Sequence, residues 1–372
     1  MLGLIDAPVG SNVATIKLVF QPFLVGGVDL FFVLSGFLIS GILMDNKQAT
    51  NYFRTFWTRR IGRIFPVYYL MIFLLIVLYL IDCVHETPLV SSLLKGQMPI
   101  WAYATFTQNF YLVFNGVFGN FLGVTWSLAM EEQFYLMLPF LVYFLPRRYL
   151  VRVCIAAILL APVIRWILWE LISWRATYHL TPARMDTIMW GVLIACTIRH
   201  EGVMAVLTKY RSAINVLIVV LAVAVGANLF GYLSDPLLAK AGYHSHGLFV
   251  STLRYSALAM MYGLLVLRLH LPGATLYRSA MEARWLGHVG VLSYAVYMYH
   301  QLFNLVVHRL VHDSLPHIAG WHEAYIPVIV LSLTFIAAEL SYRFMERPIL
   351  NRVRRTKYQF ADELNTRAYS TA

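Results

Sequence analysis

The apolar residues of this chain are grouped in long runs that recur from one end to the other. The runs cover residues 30–44, 65–81, 126–145, 151–168, 186–198, 212–233, 248–267, 288–307 and 323–343. A further stretch, 101–124, is better explained as a partly buried outer loop. Because runs of this length and character are typical of helices that cross a bilayer, the pattern predicts an all-α, polytopic transmembrane bundle with about nine spans.

Composition supports a membrane protein and excludes an average soluble domain. Of the 372 residues, 60% are hydrophobic and 13% are charged, and the mean hydropathy is +0.67. Several runs are shorter than the roughly 20 apolar residues that a spanning helix needs, so charges lie at or just inside the membrane boundary. They indicate either a bundle interior with water or paired ions, or interfacial side chains that reach the headgroups. These residues are Arg165, Arg184, Asp186, Arg254 and Glu339.

The net charge of +11 at pH 7 is spread over the loops between the runs. Most Lys and Arg residues fall on the side that includes residues 45–64 and the segment after Arg343. The positive-inside bias therefore predicts an inner-membrane protein with a cytoplasmic C-terminus. Contact with anionic membrane lipids accounts for this charge, and we expect no nucleic-acid partner.

The start of the chain does not fit the rest of the pattern. Residues 1–25 offer no convincing span and no signal peptide, and an odd number of spans would leave the N-terminus outside. We therefore expect a short atypical N-terminus (1–25), a transmembrane domain (26–350) and a basic cytoplasmic tail (351–372). We also expect that an additional helix lies upstream of this sequence.

Two adjacent carboxylates, Glu131 and Glu132, interrupt the apolar run 126–145. The run predicts a helix that begins near Thr125, so both acids could simply be stabilised by the positive helix N-terminus. That explanation does not account for the lipid-compatible residues on either side of them. We expect that at least one of them pairs with Arg184 or Arg254, and that the other contacts an acceptor or tunes a base.

Cysteine and histidine positions give little support for a metal site. Cys83, Cys154 and Cys196 are far apart and are expected to be buried structural thiols. Four histidines cluster late in the chain, on a predicted external loop. No nearby Cys or close Glu pair completes a ligand set, so solvated loop histidines are favoured over a metal site. These histidines are His308, His312, His317 and His322.

Six motifs together resemble the membrane-bound acyltransferase family 3. They are GGVDLFFVLSGFLI (26–39), RRIGRIFP (59–66), WSLAMEEQFY (126–135), RMD (184–186) leading into Gly191, LSYAVYMYH (292–300) and ELSYRFMERP (339–348). The resemblance implies a bundle of about ten transmembrane helices. It also implies transfer of an acyl group, commonly acetyl, from cytoplasmic acyl-coenzyme A to a hydroxyl of a glycan, lipid-linked sugar or similar acceptor.

The resemblance assigns the arginine motif to the donor. Arg59 and Arg63 share a helix face and Arg60 lies beside them, so their guanidiniums would suit the phosphates of coenzyme A. Without the family match, a topology anchor is slightly favoured. Ser35 and its neighbour Gly36 are small residues. They either permit close helix packing or leave room for the pantetheine arm or acyl chain.

Other matched positions receive supporting roles. Asp29 is expected to cap a helix start or orient a catalytic partner. His300 is expected to be structural or to line the donor site, with general base as the weaker alternative. Glu339, Glu346 and Arg347 are expected to form either a cytoplasmic ion-pair lock or a set of ordinary boundary charges.

One departure from the family pattern affects the expected activity. The family's first helix normally carries a basic residue and, about eleven positions later, a histidine regarded as the base. Here no histidine precedes His85, and Lys17 is the only basic residue before Asp29. We expect a fragment of an active enzyme; the alternatives are a catalytically impaired membrane scaffold or sensor and a transporter of a sugar-linked metabolite. Because the chain ends soon after the last run, we expect transfer to be completed in the bundle or by a partner protein.

Overall fold

The computed structural model describes residues 26–85, 87–117, 120–234, 243–273, 279, 281–312, 316, 323 and 325–361, with backbone alone for 227–234 and 243–251. Its regular elements are all helical within these ranges, so the predicted all-α class is confirmed. The N-terminus 1–25, Lys17, His317, His322 and tail residues 362–372 lie outside the described residues.

The described helices follow one another in chain order. They are α1 (Gly27–Asp45), α2 (Tyr52–Val84), α3 (Pro88–Leu94), α4 (Ile100–Ala104), α5 (Gln108–Asn115), α6 (Trp126–Phe144), α7 (Arg147–Leu171), α8 (Trp174–His179), α9 (Thr181–Ile198), α10 (Glu201–Lys209), α11 (Arg211–Ser234), α12 (Tyr243–His270), α13 (Arg284–His312), α14 (Tyr325–Ser341) and α15 (Arg347–Val353). A 3₁₀ turn (Gly123–Thr125) precedes α6, and a π-helical turn (Tyr342–Glu346) joins α14 to α15.

The described helices form two compact units. The first comprises Met1–Gly41 and Met130–Ala283, and the second comprises Ile42–Ala129 and Arg284–Ala372. In the first unit, α9 packs against α7 and α12, and α12 packs against α11. Apolar residues of α1, α9, α11 and α12 form a core cluster that includes Val33, Ile194, Leu258 and Tyr262.

Backbone-to-backbone packing joins α1 and α9 in the first unit. A Cβ built on Gly36 would lie 2.1 Å from the Ile188 carbonyl oxygen, and one on Gly191 would lie 2.1 Å from that of Val33. Both distances are far below van der Waals contact, so each position requires glycine. The packing explanation for the small residues near Ser35 is therefore confirmed at Gly36.

In the second unit, α13 and α14 are antiparallel neighbours. Their apolar contact at one end includes Val307, Ile326 and Val330, while at the other end His288 meets Glu339. The tail segment also returns to the start of α2. Asn51 accepts a hydrogen bond from the Gln359 backbone N–H at 3.0 Å and donates one to the Lys357 carbonyl at 2.9 Å.

Four described helical segments are long and apolar enough to cross a membrane. They are Gly27–Asp45, Tyr52–Val84, Arg147–Leu171 and Tyr325–Val353, and a fifth span arises if α8–α9 and α10, bent by 102°, count as one. Large apolar side chains such as Phe73 and Leu159 are exposed on these helices, as expected for lipid-facing surfaces. The membrane class is therefore supported, while the number of nine spans stays a prediction.

Two local predictions are corrected. His308 is buried within α13, which continues to His312, so the predicted solvated loop is wrong for this residue. Cys83 is exposed, whereas Cys154 and Cys196 are buried as expected. In both cases the apolar run predicts a helix that ends before the residue, whereas the helix continues past it, and the side-chain environment depends on how the helix is rotated and where it ends.

Candidate functional site

A buried hydroxyl–carboxylate cluster lies in the first unit. The Ser35 hydroxyl on α1 donates a hydrogen bond to Glu131 Oε1 on α6 at 2.5 Å. Tyr135, one turn after Glu131, hydrogen-bonds to the same carboxylate oxygen and to the Ser35 hydroxyl. All three side chains are buried. A carboxylate held against hydroxyl groups in this way can accept a proton from a hydroxyl.

A second charged group joins α1 to α9. Asp29, in the first turn of α1, forms an ion pair with Arg184, and both side chains are almost completely buried. The Arg184 guanidinium carbon lies 4.2 Å from the centre of the Tyr255 ring and 5.4 Å from that of Tyr178. Two aromatic faces and one carboxylate thus hold a cation in an apolar interior.

The Arg184 guanidinium has hydrogen-bond donors that are not used in the described structure. Its Nε and Nη1 atoms are buried and have no hydrogen-bond partner in the described structure. Buried N–H groups are almost always satisfied, because leaving one unpaired costs about 1–3 kcal/mol. The two donors could therefore bind an oxygen atom of a ligand.

A neighbouring buried ion pair has no such capacity. Arg165 on α7 pairs with Asp186 on α9 through both terminal nitrogens, at 3.0 Å and 2.8 Å. Its remaining hydrogen bonds go to the carbonyls of Thr252 and Ala183 and to the Ser256 hydroxyl, which in turn donates to Asp186 at 2.7 Å. Asp186 was expected to take part in an ion pair, and the structure identifies Arg165 as its partner. The polar atoms of this pair hydrogen-bond to each other and to neighbouring residues of the same unit, as is typical of a structural ion pair.

The predicted pairing of Glu131 or Glu132 with Arg184 or Arg254 stays a prediction. The ion-pair partner of Arg184 in the described structure is Asp29. Glu132, the residue after Glu131, is half-buried. Arg254 is also half-buried and lies 5.1 Å from the Tyr255 ring centre. Tyr135, Tyr178 and Tyr255 were not predicted; only Tyr135 had a sequence signal, its i, i+4 spacing from Glu131.

The arginine motif lies in the second unit, where Arg59 has structural partners. Its Nε and Nη2 atoms both donate to the Thr356 carbonyl, at 3.1 Å and 2.9 Å, and its guanidinium lies 5.1 Å from the Tyr358 ring centre. Burial raises the pKa of the Tyr358 phenol, so this ring stays neutral. Arg60 lies 6.0 Å from the Phe56 ring centre, and Arg63 is half-buried. Arg59 is thus partly engaged by the tail segment.

His300 lies on α13 in a series of anchored tyrosines. Its Nδ1 atom is 2.6 Å from the Tyr297 carbonyl, which fixes the ring and makes Nε2 the acceptor when the ring is neutral. The Tyr297 hydroxyl is 2.6 Å from both the Val124 carbonyl and Ser127 Oγ, and Tyr294 donates to the Ile64 carbonyl at 2.7 Å. These contacts give His300 a fixed orientation in the second unit.

The residues of the expected ion-pair lock have different partners. Glu339 pairs with Arg343 and with His288, the latter at 2.9 Å. Glu346 is buried in the π-helical turn and accepts a hydrogen bond from Ser341 at 3.3 Å. Arg347 is exposed. The described contacts therefore do not join these three residues to one another.

Among the described residues, no group of three or more His, Cys, Asp or Glu side chains is placed to hold a metal.

Comparisons with known proteins agree with the resemblance found in the motifs. A family model described as an acyltransferase domain, that of acyltransferase 3, matches residues 1–339. Peptidoglycan O-acetyltransferase OatA of Listeria monocytogenes is 29% identical over 349 residues, which cover 87% of this chain and 51% of the relative. O-acetyltransferase OatA of Staphylococcus aureus is 25% identical over 336 residues, with coverage of 87% and 52%. The chain thus spans about half the length of these relatives. No solved structure matches at a significant level.

Proposed function

Because this chain belongs to the acyltransferase 3 family, we propose that it is an integral membrane O-acyltransferase that moves an acetyl group onto a hydroxyl of a cell-envelope glycan. The family match and the activity for which the OatA relatives are named support the reaction class and a carbohydrate acceptor. The apolar helices support the membrane location. The proposal also places the chain in the inner membrane with a cytoplasmic C-terminus, and it treats residues 26–350 as one transmembrane domain.

The observation that carries the proposal is the buried Ser35–Glu131–Tyr135 cluster. In the proposed reaction the acceptor oxygen bonds to the acyl carbonyl carbon, and the bond from that carbon to its leaving group breaks. The acceptor's hydroxyl proton passes to Glu131, which returns it to the leaving group. Asp29 positions Arg184, whose two open donors stabilise the negative charge on the carbonyl oxygen. Glu132 contacts the acceptor in this scheme.

For the donor we propose acyl-coenzyme A, with a thiolate as the leaving group. Arg60, Arg63 and His300 would contact it in the second unit, while Arg59 mainly holds the tail segment through Thr356. Guanidiniums bind phosphate oxygens through paired hydrogen bonds, which supports this assignment. A partner protein that completes transfer to the glycan also remains part of the proposal.

The central test uses the full chain in proteoliposomes with labelled acetyl-coenzyme A and a soluble peptidoglycan fragment. Glu131→Gln keeps the shape of the side chain but removes the proton acceptor, so the transfer rate should fall about 10²- to 10⁴-fold. Glu170→Gln, an exposed carboxylate on α7, is the matched control and should retain the wild-type rate. Equal rates for Glu131→Gln and Glu170→Gln would remove Glu131 from the mechanism. Uptake of the glycan without labelling would favour a transporter.

A second test separates the roles of the arginines. Arg60→Ala should raise the KM for acetyl-coenzyme A while leaving kcat close to the wild-type value. Arg59→Ala should instead lower the melting temperature, because its contacts are with Thr356 and Tyr358. An unchanged KM in Arg60→Ala would exclude Arg60 as a donor contact without affecting the assignment of Glu131.

A further inference from the structure

An open groove lies along α13 and α14 in the second unit, away from the arginine motif in sequence. Its volume is about 470 Å³, within the range of about 300–1,000 Å³ that is usual for ligand pockets. Most of its wall is apolar. The lining residues are His288, Leu292, Phe335, Ile336, Glu339, Leu340 and Arg343.

The polar side chains of this groove are gathered where α13 begins and α14 ends. Arg343 and His288 both contact Glu339, yet their side chains remain 64% and 56% exposed. Exposed Arg284 lies one turn before His288, and exposed Arg347 lies one turn after Arg343. Four basic side chains therefore lie at or next to this end of the groove, against the carboxylates of Glu339 and of exposed Glu282, two residues before Arg284. The groove thus has an apolar wall and a mainly basic rim.

The position of this rim along the helices fits a membrane interface. Trp285, in the first turn of α13, is 69% exposed, and tryptophans concentrate at the level of the lipid headgroups. On α14, Ile336 and Leu340 are exposed on the apolar side of Arg343, as expected for contact with hydrocarbon. The charged rim is thus placed near the headgroup level, and the apolar wall extends toward the membrane interior.

We propose that this groove binds one anionic phospholipid. Its acyl chain lies along Leu292, Phe335 and Ile336, and its phosphate is bound by Arg343 and His288. Basic pockets between transmembrane helices are suited to acidic lipid headgroups, because the cations meet the phosphate while the chain stays in an apolar environment. A soluble phosphate ligand would not use the apolar wall, and a zwitterionic lipid such as phosphatidylcholine would bring its own cation to the basic rim.

The proposal does not depend on acyl transfer, so it can fail or hold separately from the proposed function. Lipid retention is measured by native mass spectrometry of the purified full chain with phosphatidylglycerol or phosphatidylcholine of identical acyl chains. Wild type should retain phosphatidylglycerol in preference to phosphatidylcholine. The double variant Arg343→Gln/His288→Gln should bind phosphatidylglycerol at least about fivefold more weakly, since one cation near an acidic headgroup contributes about that factor.

Three further variants make the test specific. Arg152→Gln removes an exposed arginine from α7 and should leave phosphatidylglycerol retention unchanged. Ile336→Trp fills the groove and should lower retention although every rim charge is present. Glu339→Gln frees Arg343 and His288 from their internal partner and should increase retention, a result that remains informative if the double variant fails to fold.

Two outcomes would overturn the proposal. One is equal retention of the two lipids by wild type, which would indicate ordinary annular contact. The other is a double variant that folds and binds phosphatidylglycerol as tightly as Arg152→Gln does.

Discussion

Two buried ion pairs of the first unit, Arg165–Asp186 and Arg184–Asp29, have opposite hydrogen-bonding states. Both are almost completely inaccessible to solvent. Every nitrogen of the Arg165 guanidinium has an acceptor among Asp186, the Thr252 and Ala183 carbonyls and Ser256. Arg184, by contrast, leaves Nε and Nη1 without a partner in the described structure.

The difference separates a structural ion pair from a site that can bind a ligand. The closed pair, Arg165–Asp186, gains nothing from a ligand, because its donors and acceptors are already satisfied. The open pair, Arg184–Asp29, has buried donors whose lack of a partner costs free energy until a ligand supplies the missing oxygen atoms. We therefore propose that Arg165–Asp186 supports folding and that Arg184–Asp29 supports acyl transfer, and this contrast gives the predictions below.

The largest effect on folding is expected from breaking the closed pair. Arg165→Met leaves Asp186 as a buried charge without its partner, which should lower the free energy of unfolding by about 3–5 kcal/mol. The measurement is thermal denaturation of the detergent-solubilised chain. The double variant Arg165→Met/Asp186→Leu should recover much of the loss, because no unpaired charge remains. A single variant with the wild-type melting temperature would show that the pair is not structural.

A smaller loss is expected where α1 and α9 touch. Gly36→Ala and Gly191→Ala each place a methyl group 2.1 Å from a carbonyl oxygen, so the helices must separate at a cost of about 1–3 kcal/mol. Because Asp29 and Arg184 are on these two helices, acyl transfer should fall as well. Gly226→Ala on α11, where a Cβ meets no atom within 4 Å, is the control and should be neutral. Equal melting temperatures for all three would contradict the close packing.

The smallest effect is expected at an exposed ion pair. Arg343→Gln removes the partner of Glu339 in the second unit, where both side chains are accessible to solvent. Water and salt screen such pairs, so the melting temperature in lipid-free detergent should be indistinguishable from that of wild type. A drop as large as that of Arg165→Met would show that burial is not what distinguishes the two pairs.

The sequence predicted the elements better than the partners. Apolar runs predict the all-α class, and the start of α6 at Trp126 agrees with the expected onset near Thr125. For Arg184 the sequence suggests Glu131 or Glu132 as a partner, and periodicity alone could not single out Asp29, with which it forms an ion pair in the structure. The choice depends on the rotation of α1 against α9, which the contacts at Gly36 and Gly191 set in three dimensions.

The surroundings of several other side chains also depend on features that the local sequence does not show. His308 lies just beyond the predicted end of its apolar run, and only the continuation of α13 to His312 places it in a buried position. Tyr255 reaches the Arg184 guanidinium from another helix, a contact without any signal in local sequence. The engagement of Arg59 by Thr356 likewise joins residues almost 300 positions apart.

The most direct test of the account is one substitution made at both buried arginines. Lysine keeps the positive charge but loses the planar set of donors. Arg184→Lys should fold with nearly the wild-type melting temperature and lose about 10²- to 10³-fold in acetyl transfer per folded molecule. Arg165→Lys should melt at a lower temperature and keep the wild-type rate per folded molecule. Equal rates per folded molecule in the two variants, or a larger loss in Arg165→Lys, would contradict the assignment of Arg184 to the reaction.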